Sequence, residues 1–320
     1  MKTSLARSLA IVAALGACCI SQAQVYPAKP VRLVVPLAPG GGNDTLARYV
    51  GKYLTESLGL SVVVENRAGG GGLAGGEYVA RSAPDGYTLV VAGSGLIVVS
   101  LTYKQFNIQR DLTPIAMIGE YATLLVCHPS LPVANVRELI KLAKARPGQL
   151  NFASAGTGSA GHLVLEMFRS SANIEIVHIP YKGAGPAATE VMAGQVSLLF
   201  NNPLGSIPHV RSGRLRALGI SGAQRISAMP DVPTIAESGL PGFNATFFLG
   251  LLGPLGLSRD VVTRLNTETV KIVQRREFQE LLTQQGMDAM SGTPEDFAAR
   301  IRFDMEKTAK VVRESGMTLN

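Results

Sequence analysis

One pattern recurs along this chain and limits the folds that it can adopt: a short apolar strand, a glycine-rich turn and an amphipathic helix. The pattern occurs within 30–54, 151–169 and 174–193. Strands that alternate with helices in this way are typical of a mostly parallel sheet covered by helices on both faces. Because 151–221 follows the same order as 30–100, the sequence predicts two α/β lobes of similar type. Ligands of such sheets bind beyond the carboxyl ends of the strands, where these turns lie.

The turn within Asn151–Leu165 admits three interpretations. Gly156–Gly161 matches the dinucleotide fingerprint G-x-G-x-x-G, but that fingerprint also requires an acidic residue at the end of the next strand. The next strand, Ile174–Ile179, carries Glu175 at its start instead. A plain structural turn and a cradle for a small anion remain open. We favour the anion cradle, because a helix N-terminus offers unpaired N–H groups and the chain repeats the turn.

The earlier segment 38–44 brings a second glycine-rich turn to a helix N-terminus. We predict that Asn43 or Asp44 caps this helix. A P-loop is excluded, because the motif G-x-x-x-x-G-K-[ST] does not occur there. Gly93–Gly95, which contains Ser94, follows the predicted strand Tyr87–Ala92. Both turns are therefore expected at the same edge of the first sheet.

The first 23 residues have the composition of a cleavable secretory signal peptide. Lys2 and Arg7 give a positive start, Leu9–Ala17 is an apolar stretch too short to span a membrane, and Ser21–Ala23 supplies small residues for cleavage. The sequence therefore predicts an exported protein. A lipoprotein signal is a minor alternative, in which Cys18 would be lipidated.

Length and charge narrow the class of protein further. The chain has 320 residues and is 46% hydrophobic, which is enough for about two domains with buried cores. The net charge of +7 is scattered, with no dense Lys/Arg block, so we exclude nucleic acid as a partner and expect acidic small ligands. Cys127 would be the one cysteine left after cleavage. It lies in an apolar run, so we predict a buried thiol and no intramolecular disulfide.

Catalysis and metal binding have little support in the sequence. His162 would need a nucleophile and an orienting carboxylate to act as a base, and Ser154 or Ser159 is the candidate nucleophile. The G-x-S-x-G elbow does not occur. The other histidines lack the spacing of a metal site: His128, His178 and His209. We therefore expect no catalytic residue, metal or cofactor.

Seven segments carry a family resemblance through their order and spacing. They are Pro36–Asp44, Asn66–Gly72, Pro84–Leu89, Asp111–Ile115, Asn151–His162, Pro180–Gly185 and Pro230–Thr234. Each segment alone is moderately specific, but together they run from about Tyr26 to the C-terminus. In this respect the chain resembles the substrate-binding receptors of tripartite tricarboxylate transporters, also called the Bug family.

The resemblance implies a two-lobed periplasmic binding protein fold of type II. Each lobe would be a mostly parallel sheet flanked by helices, and the lobes would close on a ligand in a hinge cleft. By analogy, lobe 1 is 24–125 plus 246–320, and lobe 2 is 126–245. The implied location is the periplasm, and the implied ligand is a small carboxylate: a di- or tricarboxylic acid, an amino acid or an aromatic acid.

The resemblance also implies which residues bind the ligand. In the family, backbone N–H groups of the turn matching Pro39–Asp44 hold one carboxylate, with ordered water, and two turns of the opposite lobe complete the cleft. Neutral donors of this kind avoid the desolvation cost of a buried arginine. The predicted ligand-binding residues are Leu37, Pro39, Gly41, Gly42, Asn43, Asp44, Ser94, Ser154, Gly156, Thr157, Gly158, Ser159, His162, Tyr181, Gly183 and Asn201.

Two positions depart from the family pattern. Many members carry an aromatic residue where this chain has Leu37, so the wall beside the first turn is expected to differ. Many also carry Asp where this chain has Asn201, and that Asp suits a ligand ammonium group. Asn removes the charge and offers a donor and an acceptor. We therefore hypothesise a ligand without an amino group.

The implied partners are the small carboxylate and the membrane subunits of a tripartite tricarboxylate transporter, with the receptor itself a monomer. Two other functions remain open at this stage. One is a receptor that presents its ligand to a membrane sensor, and the other is a periplasmic hydrolase that uses His162.

Overall fold

The computed structural model describes residues 26–314, which form two sheets with helices on both faces of each. The predicted signal peptide and Cys18 lie outside these residues. The strands are β1 (Val31–Val35), β2 (Val62–Asn66), β3 (Thr88–Gly93), β4 (Leu112–Ala122), β5 (Leu124–Cys127), β6 (Asn151–Ser154), β7 (Val177–Pro180), β8 (Leu198–Asn201), β9 (Arg216–Ile220), β10 (Thr246–Pro254) and β11 (Asp288–Ala289).

The helices alternate with the strands in both halves of the chain, as the sequence predicts. They are α1 (Gly42–Leu58), α2 (Leu73–Ala80), α3 (Ser94–Thr102), α4 (Ile108–Asp111), α5 (Val136–Ala145), α6 (Ala160–Ala172), α7 (Ala184–Met192), α8 (Ile207–Arg211), α9 (Arg259–Gln274), α10 (Arg276–Gln284) and α11 (Pro294–Glu314). Two short 3-10 turns are Gly70–Gly72 and Pro203–Gly205.

The sheet topology confirms a two-lobed α/β fold. The first sheet has the order β11-β4-β10-β3-β1-β2 and the second the order β7-β6-β8-β5-β9. Three neighbouring strands are parallel in each sheet, but β10 and β5 are antiparallel to both of their neighbours. The sheets are thus mixed rather than mostly parallel. The reason is that β5 and β10 each enter a sheet directly from the other lobe, without the crossover helix that a parallel neighbour needs.

Both faces of the central strands are buried, which explains why they are apolar throughout. In β1, Leu33 and Val35 pack in one core cluster with α1, whereas Val34 packs in another with α3 and α11. Successive side chains of a strand point to opposite faces, so a strand covered on both sides reads as an unbroken apolar run. Cys127 is buried in the same way and its thiol is free, as the sequence predicts. Burial raises the pKa of this thiol to about 11, although Arg216 opposes the shift.

Two chain segments connect the lobes, and the hydroxyl of one buried serine forms hydrogen bonds with both segments. Thr123 separates β4 from β5, and the loop 221–245 separates β9 from β10. The Ser221 hydroxyl accepts hydrogen bonds from the N–H (2.8 Å) and the hydroxyl (2.9 Å) of Thr123, and donates to the carbonyl of Ala245 (2.6 Å). The assignment of strands to sheets supports the lobe boundaries, 24–125 plus 246–320 and 126–245, which stay a prediction.

Candidate functional site

Four helix N-termini, two from each lobe, line one cavity between the sheets. Helix α1 contributes Gly41–Asp44, α3 contributes Gly93, Gly95 and Leu96, α6 contributes Ser159–Gly161, and α7 contributes Ala184. The cavity volume is about 60 Å³. Each helix adds a partial positive charge at its N-terminus, so the four together favour a negative charge in this space.

Three of these helices start without a side-chain cap. Gly41, Gly93 and Gly183 precede α1, α3 and α7, and none of these helices has a side-chain capping hydrogen bond. The first N–H groups of a helix have no partner within the helix, so they are left for a ligand. Only α6 is capped, because the Ser159 hydroxyl accepts from the N–H of His162 (3.3 Å).

The predicted capping role of Asn43 or Asp44 is wrong. Helix α1 begins at Gly42, so both residues lie in its first turn and extended Gly41 takes the N-cap position. A Cβ at Gly41 would lie 3.1 Å from the Ala184 Cβ of the other lobe, so a side chain at this position would require Ala184 to shift slightly. The close approach of the lobes therefore disfavours a capping side chain at the N-cap position of α1.

Asp44 instead holds the first turn in shape. Its buried carboxylate accepts from the Gly40 N–H (3.1 Å), the Arg48 guanidinium (3.0 and 3.1 Å) and the Asn66 amide (3.0 Å). Burial alone would raise the pKa of this carboxyl, but the hydrogen bonds from Arg48, Gly40 and Asn66 outweigh it and lower the pKa. Asp44 is therefore ionised and already satisfied, so it is not a free charge facing the ligand.

The described residues that line the cavity include no Lys, Arg or His. One part of the wall is apolar, formed by Leu37, Leu96, Phe200 and Leu249. Burial raises the pKa of the Tyr121 phenol, and the neighbouring Asn202 amide lowers it in part. An anion here would be held by neutral donors and helix dipoles next to an apolar surface.

The structure brings seven of the predicted binding residues to the cavity wall: Leu37, Gly41, Gly42, Asn43, Asp44, Ser159 and Asn201. The other nine do not line the cavity: Pro39, Ser94, Ser154, Gly156, Thr157, Gly158, His162, Tyr181 and Gly183. Ser94, for example, accepts from the N–H of Phe248 (3.1 Å). A ligand-binding role for any of the sixteen stays a prediction.

Several of those nine residues lie where the two lobes touch. The Ala38 N–H donates to the Lys182 carbonyl across the cleft (3.1 Å). A Cβ would lie 2.6 Å from the Ala38 nitrogen if added at Gly183, and 2.2 Å from the Pro39 carbonyl oxygen if added at Gly185. The second contact is at Gly71, where a Cβ would lie 2.3 Å from the Thr157 carbonyl oxygen. The lobes are therefore closed, with backbone against backbone at two places.

Ser154, His162 and His178 form a cluster behind the turn of lobe 2. The Ser154 hydroxyl lies 2.6 Å from His178 Nε2, and the ring of His162 stacks on that of His178 at 4.0 Å. His162 Nδ1 accepts from the Gly158 N–H (3.2 Å). Within residues 26–314, no serine hydroxyl is hydrogen-bonded to the His162 ring. These contacts support the turn 154–159 and give His162 no nucleophile to activate.

The histidine pair predicts a loss of stability in mild acid. Burial lowers the pKa of both His162 and His178 to about 4, with a further contribution from Arg169. Unfolding therefore takes up protons between pH 6.5 and 4, so the free energy of unfolding falls as the pH drops through this window. By pH 5 we expect a loss on the order of 1 to 2 kcal/mol per histidine.

Urea unfolding at pH 7 and pH 5 measures this loss. The matched variant His162→Gln/His178→Gln is expected to be less stable at pH 7 but to lose less between the two pH values. If the free energy of unfolding fell equally between pH 7 and pH 5 in the two proteins, the loss in acid could not come from His162 and His178.

The sequence did not single out three polar residues of the cavity wall: Tyr121, Thr123 and Asn202. Tyr121 is the last residue but one of β4 in lobe 1, Thr123 connects β4 to β5, and Asn202 follows β8 of lobe 2. No local motif marks them. Their position next to the turns depends on how the two sheets are joined.

Two further observations concern metals and membranes. Among residues 26–314, no group of three or more His, Cys, Asp and Glu side chains is placed to hold a metal ion. In the same part of the chain, no helix is long and apolar enough to cross a membrane.

The fold and the cleft are those of the two-lobed binding proteins. Comparison with known proteins identifies the family within this class. Residues 46–317 match the family described as the tripartite tricarboxylate transporter family receptor. Protein BugT of Bordetella pertussis is 37% identical over 315 residues, which cover 96% of each chain. The chain therefore belongs to the tripartite tricarboxylate transporter receptor family, which confirms the resemblance found in the sequence.

Two solved structures with ligands share this fold. Rpa4515 of R. palustris, solved with adipate, is 32% identical with a TM-score of 0.88, and the match covers 91% of this chain and 98% of that one. MatC (Rpa3494) of Rhodopseudomonas palustris, solved with malate, is 30% identical with a TM-score of 0.86, covering 90% of this chain and all of that one.

Proposed function

We propose that this protein captures a small organic acid, as its carboxylate, in the cleft between the lobes. It then delivers the acid to the membrane subunits of a tripartite tricarboxylate transporter. The protein acts in the periplasm as a monomeric receptor and not as an enzyme.

One observation carries the proposal: four helix N-termini from both lobes meet at a cavity whose described lining has no basic side chain. Backbone N–H groups and dipoles bind an anion without a buried cation. Because each lobe supplies two helices, an anion in the cavity contacts both lobes at once. Binding is thereby coupled to closure of the cleft.

The ligands of two structural relatives support the class of substrate. Adipate and malate are both small dicarboxylates, and the proteins that hold them share this fold at 30% identity or more. The apolar wall formed by Leu37, Leu96, Phe200 and Leu249 suits the hydrocarbon part of such an acid.

Calorimetric titration with a panel of organic acids tests the proposal. The panel contains malate, succinate and adipate, and each acid is paired with its neutral diamide. We expect at least one acid to bind with 1:1 stoichiometry and its diamide not to bind, because the helix N-termini recognise the negative charge. Binding of the diamides alone, or of neither series, would contradict a carboxylate receptor.

A negative charge at Asn201 is expected to weaken binding of a carboxylate. The Asn201 side chain lines the cavity, donates to the Ser206 hydroxyl (2.9 Å) and accepts from the Asn202 N–H (2.8 Å). Asp can keep both contacts, so Asn201→Asp should fold. It would place a buried charge near the bound anion, and we expect affinity to fall roughly 10- to 100-fold.

The matched control is Asn151→Asp, at the opposite end of the neighbouring strand, where the side chain accepts from the Ser197 N–H (2.7 Å). This control should bind as the wild type does. Unchanged affinity of Asn201→Asp for a carboxylate would count against the hypothesis that the ligand has no amino group.

A further inference from the structure

One glycine of the cavity wall is not required by backbone shape or by packing. A Cβ at Gly95 would meet no atom within 4 Å, and the φ angle of this residue is not positive. Among residues 26–314, a Cβ at any other glycine of the wall would lie 3.1 Å or closer to another residue: Gly41, Gly42, Gly71, Gly93 and Gly161. Within the described wall, Gly95 is therefore the one glycine that borders open space.

Glycine at this position is unfavourable for the helix that contains it. Gly95 is the second residue of α3, and a glycine in a helix is less favourable than an alanine, because it loses more conformational freedom on folding. Its neighbours Ser94 and Leu96 are buried, whereas Gly95 is partly exposed. The space that a side chain at Gly95 would fill is therefore part of the cavity.

The wall next to Gly95 is apolar. Leu96, the next residue of α3, lines the cavity, and so does Leu249, which pairs with Gly93 in the register of β10 and β3. A charged group against such a wall would lose its water without gaining a partner, whereas a hydrocarbon chain suits it. The open space at Gly95 is therefore suited to the hydrocarbon part of an acid.

This space is scarce, because the lobes are already in contact. The cavity volume of about 60 Å³ is room for only about four to six water molecules. At Gly185 and at Gly71 the backbones of the two lobes approach so closely that neither has room for a Cβ. The cavity can therefore gain volume only if the lobes separate, so that each methyl group in its wall restricts the size of the ligand.

We infer that Gly95 is a specificity-determining residue: the missing side chain leaves room for the hydrocarbon part of the bound acid and sets the longest chain that the closed cleft accepts. This inference rests on the proposed function, because the acid that it describes is the ligand of the same cleft. A methyl group added at Gly95 would overpack the cavity when a long acid is bound. A shorter acid would leave room for that methyl group.

Two substitutions at Gly95 fill this space in steps. Gly95→Ala should fold and should melt no lower than the wild type, because alanine favours the helix and its Cβ meets no protein atom. Gly95→Val adds two further methyl groups. The control is Gly51→Ala in α1, which also adds a methyl group to a helical glycine of lobe 1. Gly51 does not line the cavity, and its Cβ would face a methyl group of Val64 at 3.2 Å.

The experiment is calorimetric titration of the four proteins with malonate, succinate, glutarate, adipate and pimelate, each of which is one methylene longer than the one before. We expect Gly95→Ala to weaken binding of the longest acid that the wild type binds roughly 10- to 100-fold relative to the shortest, on the usual cost of overpacking. Gly95→Val is expected to move the preferred chain length further in the same direction. Gly51→Ala should keep the preference of the wild type. If the wild type binds a single acid, we expect Gly95→Ala to lose affinity for that acid and Gly51→Ala to keep it.

The outcomes distinguish this inference from the proposed function. If the wild type binds an acid and Gly95→Ala binds every acid with unchanged affinity, the role of Gly95 is wrong and the receptor function stands. The role is also wrong if the Gly95 variants weaken several acids by the same factor, or if Gly51→Ala shifts the preference as much as Gly95→Ala does. If the wild type binds neither these acids nor malate, the proposed function falls, and the inference falls with it.

Discussion

Replacing Gly185 with alanine is expected to weaken ligand binding roughly 10- to 100-fold while the fold stays intact, on the usual cost of overpacking. Gly185 is the second residue of α7 and has no positive φ, so alanine suits its backbone and favours the helix. Its Cβ would nevertheless lie 2.2 Å from the Pro39 carbonyl oxygen of the opposite lobe. That atom belongs to the backbone and cannot rotate away. The variant should therefore resist closure specifically.

Calorimetry gives the affinity of this variant, and small-angle scattering with ligand present gives its shape. The control is Pro186→Ala, the next residue of the same helix, whose side chain is exposed. The control should bind and close as the wild type does. A Gly185→Ala protein that closes fully and binds with unchanged affinity would show that the turns of the two lobes do not need to touch.

Replacing Ser221 with alanine is expected to lower the free energy of unfolding by about 3 kcal/mol, because three buried groups lose their partner. The Ser221 hydroxyl is fully buried and serves both connections between the lobes. Alanine leaves the Thr123 N–H and hydroxyl without an acceptor and the Ala245 carbonyl without this donor. Thermal and urea unfolding measure the loss.

Ser238→Ala is a matched control for this loss. Ser238 is also buried, but its hydroxyl makes one side-chain hydrogen bond, to the Thr234 carbonyl (2.8 Å). We expect a smaller loss, of about 1 kcal/mol. Equal losses of free energy for the two variants would show that Ser221 does not stabilise the two connections between the lobes more than an ordinary buried serine does.

The parts of the site that follow from local sequence were predictable. A glycine-rich turn followed by an amphipathic helix is a short-range signal, and the turns at 38–44 and 156–161 do lie beside helix N-termini at the cavity. Helix α3 was not predicted, although it supplies one of the four N-termini. It is apolar on all sides because it is buried, so the alternation of polar and apolar residues that marks a surface helix is absent.

The parts that depend on long-range packing were not predictable. The sequence singled out Asn201, but only the fold shows that Ser206 and the chain occupy its amide. The contact of the Asn202 side chain with Gly42 of the opposite lobe also appears only in the fold. Likewise, the short glycine segments that touch across the cleft are far apart in the chain, so their close approach leaves no local signal.

We expect the closed cleft to hold a small carboxylate without an amino group. Native mass spectrometry of the mature protein, purified gently without added ligand, tests it most directly. The protein is then unfolded and any released molecule is identified. We expect one organic acid per protein, with no amine. A stoichiometric ligand that carries an amine would contradict it, and so would an empty protein whose melting temperature no organic acid raises.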